Sequence, residues 1–249
     1  MGKYFSTVVD CEIPTVAAGQ HAAFTDGDVI FDWQAFDIPK GAARLLNVSM
    51  NVTSRGDAGA TVNSSNLNII FATKNDVSLG TVNSGSGTSP VPSIIGWADL
   101  GAAGYINDLD GRTFTTTFIT PSDNDPLNPN TVLQGIPTTG VNVGFDRIYV
   151  GAITKSAANF TSLIRINNGT LDGSVFTVDG TDPRLLLAVG DKINVCTTAD
   201  TAVSKTLGTI KSMADENTIT LEATTENAVT NDDFIYHRHP VRLHLSFEQ

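Results

Sequence analysis

The chain has 249 residues and a formal net charge of −11, yet only 16% of its side chains are charged. Its polar surface comes from 31 Thr and 19 Asn, with 22 Gly beside them. That disfavours helical bundles, because these residues are poor in helix interiors, and it disfavours nucleic-acid modules, which need clustered Lys and Arg. With 41% apolar residues the chain is folded, acidic and β-rich, as one large domain or two small ones.

The opening Met1–Ser6 contains no apolar run of signal-peptide length, and nowhere do about 18 apolar residues follow one another. Gly2 with Ser6 fits the loose myristoylation pattern, which also arises by chance. Sequons at Asn47, Asn51, Asn63, Asn159 and Asn168 reflect Thr/Asn-rich strands and turns when no secretory signal precedes them. Cys11 and Cys196 lie far apart with no ligand-spaced partner, which predicts two buried thiols and no disulfide framework.

Along the chain, alternation of period two recurs and helical periodicity is scarce. The run Val29 to Phe36 predicts an apolar strand that ends at Ile38-Pro39-Lys40-Gly41. Leu46, Val48, Met50 and Val52 alternate with polar neighbours, and Asn66 to Thr73 has strand character. Trp97 to Asn107 is the one helix expected, weakened by Gly101 and Gly104. Phe114, Thr116 and Phe118 alternate with threonines, and Ile148 with Val150, then Phe160 to Ile166, predict two more strands. The long loops at 81–92 and 121–137, together with the N-terminal segment to Gln20, are expected to reach partners.

In the last third the runs shorten. Lys192 to Val195, Gly208 to Ser212, Thr218 to Leu221 and Phe234 to Tyr236 predict a small barrel. Val241, Leu243, Leu245 and Phe247 then restore the longer amphipathic pattern, with Pro240 at the strand start. The expected fold is therefore all-β: an antiparallel, jelly-roll-like sandwich of residues 1–167 and 239–249, carrying an inserted barrel at 168–238. The two crossings would fall at Gly169 to Gly180 and at His237 to His239.

No motif for catalysis is present. There is no phosphate loop, no Gly-x-Gly-x-x-Gly and no nucleophile elbow, since Gly85-Ser86-Gly87 only mimics one. His237 and His239 on one strand face could chelate a metal beside Asp232 and Asp233, with His244 on the opposite parity; a hydrogen-bonded junction is the competing expectation. The pairs Asp26/Asp28, Asp108/Asp110 and Asp123/Asp125 read as Asx turns, although Asp108-Leu109-Asp110-Gly111 and Asp123-Asn124-Asp125 offer oxygens to calcium. No catalytic residue, metal ligand or cofactor site is assigned.

The Thr/Asn/Gly-rich texture, the start Met1-Gly2-Lys3-Tyr4-Phe5, the strand Phe31 to Pro39 and the passage from Val189-Gly190-Asp191 to Leu221 resemble virion structural proteins of tailed bacteriophages. The likeness is to contractile-tailed phages of marine cyanobacteria, and within them to head decoration, or cement, proteins. That resemblance implies a non-enzymatic protein made in the host cytoplasm and resident in the virion. It would bind the major capsid protein or other virion proteins through loops and termini, as a homo-oligomer, with neither nucleic acid nor membrane as partner. Two alternatives stand beside it. One is a tail, neck or fibre-associated protein that binds a tail partner or host glycan. The other is a carbohydrate-binding or hydrolytic sandwich, which predicts export and an aromatic-lined or calcium-bearing cleft.

Overall fold

The computed structural model describes residues 2–14, 20, 23–53, 66–85, 87, 91–100, 105–109, 112–118, 132–140, 143–167, 173–196, 205–225, 227 and 229–249, with backbone only for 105–109 and 112–118. The fold is an all-β sandwich carrying a closed barrel, and every ladder between its named strands is antiparallel.

Ten strands precede the barrel: β1 (Tyr4–Cys11), β2 (Val29–Pro39), β3 (Ala43–Val52), β4 (Leu67–Ala72), β5 (Ile94–Leu100), β6 (Tyr105–Leu109), β7 (Arg112–Phe118), β8 (Val132–Leu133), β9 (Ile136–Pro137) and β10 (Phe145–Thr154). The barrel follows with β11 (Arg165–Ile166), β12 (Val175–Asp179), α1 (Pro183–Leu186), β13 (Lys192–Cys196), β14 (Lys205–Asp215), β15 (Thr218–Leu221) and β16 (Phe234–His237); β17 (Val241–Glu248) ends the chain.

One sheet has the order β1-β17-β3-β7-β6, with β8 joined to β3; the other is β2-β10-β4-β5, with β9 joined to β10. The steps from β1 to β2, β2 to β3 and β3 to β4 each cross between the sheets, so consecutive strands pack face to face. Alternation explains the burial: Val241, Leu243, Leu245 and Phe247 point inward from β17, and the residues between them do not. Their inner face meets Phe36 and Phe71 of the opposite sheet, with Phe247 stacked on Phe5 at 5.1 Å and Phe36 at 6.3 Å from Phe71 and 6.5 Å from Phe247 within the same core.

The barrel closes as β11-β12-β15-β14-β13-β16 around its own apolar core, which includes Ile166, Val178, Leu207, Ile210 and Ile235. All of its strands lie between β10 and β17 in the chain. Its first strand, Arg165–Ile166, begins ahead of the boundary expected at 168, because Arg165 pairs with both Asp179 and Phe234.

Two sequence expectations are corrected. The helix expected at Trp97 to Asn107 is β5 followed by β6, because Gly96, Ala98 and Leu100 supply an inward face that pairs with β4. The strand expected over Phe160 to Ile166 is confined to its last two residues; Phe160 instead buries its ring edge-on against Phe24. The N-terminal segment contributes β1, hydrogen-bonded to β17 from Tyr4 to Cys11.

Candidate functional site

The histidine cluster lies at the junction between barrel and sandwich. His237 closes β16 and is buried. Its Nδ1 accepts the backbone N–H of His239 at 2.9 Å, so the ring proton sits on Nε2, which faces Asp191 Oδ2 at 3.1 Å. The carbonyl of His237 accepts a hydrogen bond from Gln20 Nε2 at 3.0 Å, and the same amide donates to Ile13 at 2.8 Å. The linker then returns to the sandwich, where Thr53 N–H donates to the Pro240 carbonyl and Arg242 pairs with Asp10. A cavity of about 30 Å³ lined by Asp191, His237, His239 and Arg242 has room for one water.

Both ring nitrogens of His237 are therefore engaged, and ligation of a metal through either would require breaking the contact that nitrogen makes. His239 lies beyond the end of β16. His244 sits in β17 between Val8 and Ser49, away from that cavity. Asp232 and Asp233 are at the other end of β16, where Asp233 Oδ2 accepts the Thr230 N–H at 2.8 Å and Asp232 adopts φ 68° in the turn. The five residues do not converge. Among the described residues no three His, Cys, Asp or Glu side chains lie together as a ligand set.

Asp28 caps its own turn, accepting from the N–H and Oγ1 of Thr25 at 2.6 and 2.9 Å, with Asp26 in the same turn. Asp108 is described by its backbone in β6, and Asp110, Asp123 and Asp125 lie outside the described residues. Cys11 and Cys196 are buried thiols outside any disulfide, and burial, with Asp10 beside it, pushes the Cys11 thiol well up. Such a thiol is a poor nucleophile.

Burial also holds His239 below the ordinary imidazole value of 6.5. Because the unfolded chain then binds the proton more readily, this residue's contribution to stability is present above that value and lost as pH falls. The His239→Gln variant should therefore lose less thermal stability than the parent between about pH 7 and pH 5. Paired melts monitored by circular dichroism measure this, and equal losses would exclude the effect.

The described part of the loop at 81–92 is held down. Val82 bridges to Val29 and Gly85 to Asp28, while Asp32 accepts from the Leu79 N–H and the Ser78 hydroxyl. Trp33 lies beneath this segment and donates from Nε1 to the Val77 carbonyl at 2.7 Å. Residues 86 and 88–90 of that loop, and 121–131 of the other, lie outside the described residues; 132–137 form β8 and β9.

Apolar side chains are exposed elsewhere. On β5, the last strand of its sheet, Trp97 is 47% and Ile94 42% exposed. Trp97 pairs across the ladder with Ile70, and with Asn68 these residues line a hollow of about 270 Å³. On β1, at the edge of the other sheet, Tyr4 and Val8 are 72% and 51% exposed. Sequence reading missed Trp97 because it placed the residue on a helix. The signal was Trp97 and Asp99 alternating with Gly96, Ala98 and Leu100. Comparison with known families, curated proteins and solved structures finds no match to this chain.

Proposed function

We propose that this chain is a non-enzymatic structural protein of a bacteriophage virion, decorating and stabilising the outside of the capsid through protein–protein contacts. The observation that carries the reading is the exposed apolar pair Trp97 and Ile94 on the edge strand β5, beside the half-buried Ile70 of β4. Large exposed aromatic residues flanked by apolar neighbours are typical anchors of interfaces, and an edge strand offers unpaired backbone groups to a partner. Tyr4 and Val8 give the terminal strand a second contact surface at the opposite sheet. Asp28 and Asp233 serve turns and His237 serves the interdomain linker, which suits a protein that acts through its surfaces. The major capsid protein is the partner proposed, and copies of the chain associate on the particle.

The tagged chain is expected to co-band with particles from its native source on a density gradient, with immunogold label on the heads. Trp97→Ala should weaken particle association roughly tenfold or more while leaving the circular dichroism unchanged. A chain that stays at the top of the gradient, or a Trp97→Ala variant that binds as well as the parent, would overturn the reading. Label confined to tails would replace decoration with a tail or neck role.

A further inference from the structure

We propose that a groove on the outer face of the second sheet binds a neutral oligosaccharide. β4 and β9 lie along the same side of β10 but do not meet: β4 pairs with Tyr149 to Thr154, and β9 with Asp146 and Arg147. Where β4 stops at Ala72 the chain turns away through Thr73 to Asp76, and β9 leads on to Thr138 and Thr139. Arg147 and Tyr149 form the floor of the gap between these two walls, which has a volume of about 410 Å³. That is within the size of small-molecule sites, roughly 300–1,000 Å³. A second hollow of about 210 Å³ shares Thr73, Lys74 and Asp76 and continues past Pro92 and Ser93. The pair makes an elongated groove, suited to a linear ligand.

The chemistry of the lining selects the class. Arg147 donates through Nε and Nη2 to Asp37 at 2.9 and 3.1 Å, which leaves Nη1 outside that pair. Lys74 and Arg147 are balanced by Asp76 and Asp37, so the groove carries no net charge to attract a phosphate or other anion. Asn75, Asp76 and the hydroxyls of Thr73 and Thr139 mix donors with acceptors, as adjacent sugar hydroxyls require. Tyr149 gives a flat ring for the C–H face of a pyranose, and Ile136 with Pro137 form an apolar side wall. Pro137 has no N–H to offer an extended peptide, which argues against recognition by strand addition there.

This inference is independent of the virion reading, and the failure of either leaves the other standing. The experiment is an amide-shift NMR titration of the full chain with maltotriose, cellotriose and triacetylchitotriose. At least one should give saturable shifts at Lys74, Asn75 and Tyr149 with a Kd on the order of millimolar. Tyr149→Ala and, in the exposed turn, Asp76→Ala should each weaken it about tenfold, whereas Tyr149→Phe and Trp97→Ala should retain it. Absence of saturable shifts with all three sugars would overturn the proposal. So would sugar binding that Asp76→Ala and Tyr149→Ala leave intact, or a groove that responds to an extended peptide and to none of the sugars.

Discussion

Deletion of Val241–Gln249 is expected to abolish the folded sandwich. β17 lies between β1 and β3 and is hydrogen-bonded to both, so its removal leaves β1 without its sheet neighbour and opens a new edge on β3. Val241, Leu243, Leu245 and Phe247 are all fully buried. Burying side chains of this size contributes about 1.5–3 kcal/mol each, and the four together are on the order of 10 kcal/mol. A whole domain is stable by only about 5–15 kcal/mol, so the loss equals or exceeds what is available. Both tryptophans lie in the sandwich, Trp33 on β2 and Trp97 on β5, and their fluorescence reports its state. The truncated chain should show no cooperative tryptophan transition in urea. Retention of one would contradict the central place of β17. The milder Phe247→Ala should keep the transition but lose about 3–5 kcal/mol, since a large cavity opens beside Phe5 and Phe36.

The second large effect is expected in the barrel. Gly180 follows β12 with φ +88°, and a Cβ there would overlap the carbonyl oxygen of Leu163. Gly180→Ala combines a left-handed backbone with a clash against main chain, which cannot swing aside as a side-chain tip can. A loss of about 2–4 kcal/mol is expected. Leu163 immediately precedes Ile164, a member of the barrel's own apolar cluster, which is separate from the sandwich cluster. The damage should therefore fall on the barrel first. Far-UV circular dichroism follows both parts, whereas tryptophan fluorescence follows the sandwich alone. In the variant, part of the dichroism transition should move to lower urea while the fluorescence midpoint moves less. Equal movement of both would mean that junction contacts, such as Gln20 with His237 and His237 with Asp191, bind the two cores into one cooperative unit.

Several elements were readable because one-sided burial imposes a local period. Strand β3 buries Val48, Met50 and Val52 as the alternation predicts, whereas Leu46 is only half-buried and Leu45 takes the inward place across a register shift against β17; β17 itself alternates without a break. The shorter runs from Lys192 onward announced the barrel, whose core is assembled from such pieces. The edge strands were harder. In β1 the large residues Tyr4 and Val8 face solvent, so apolar character did not mark the buried face. In β5, Ala and Gly hold inward positions, and small residues read as weak helix. The role of His237 was half visible: its neighbours in sequence suggested a junction, but Asp191 and Gln20, which position it, come from distant segments.

The sequence by itself determined the β class, the change from long strands to short ones, and the return of a long amphipathic strand at the end. Each of these follows from side chains alternating across a half-buried strand, which is a property of adjacent residues. Only the tertiary structure decided which strands are neighbours. It set β17 between β1 and β3, left Trp97 exposed on an edge, and brought Thr73–Asp76, Ile136 and Tyr149 around one groove. Strand pairing depends on contacts between residues many tens of positions apart, and the local period is the same whichever partner is chosen.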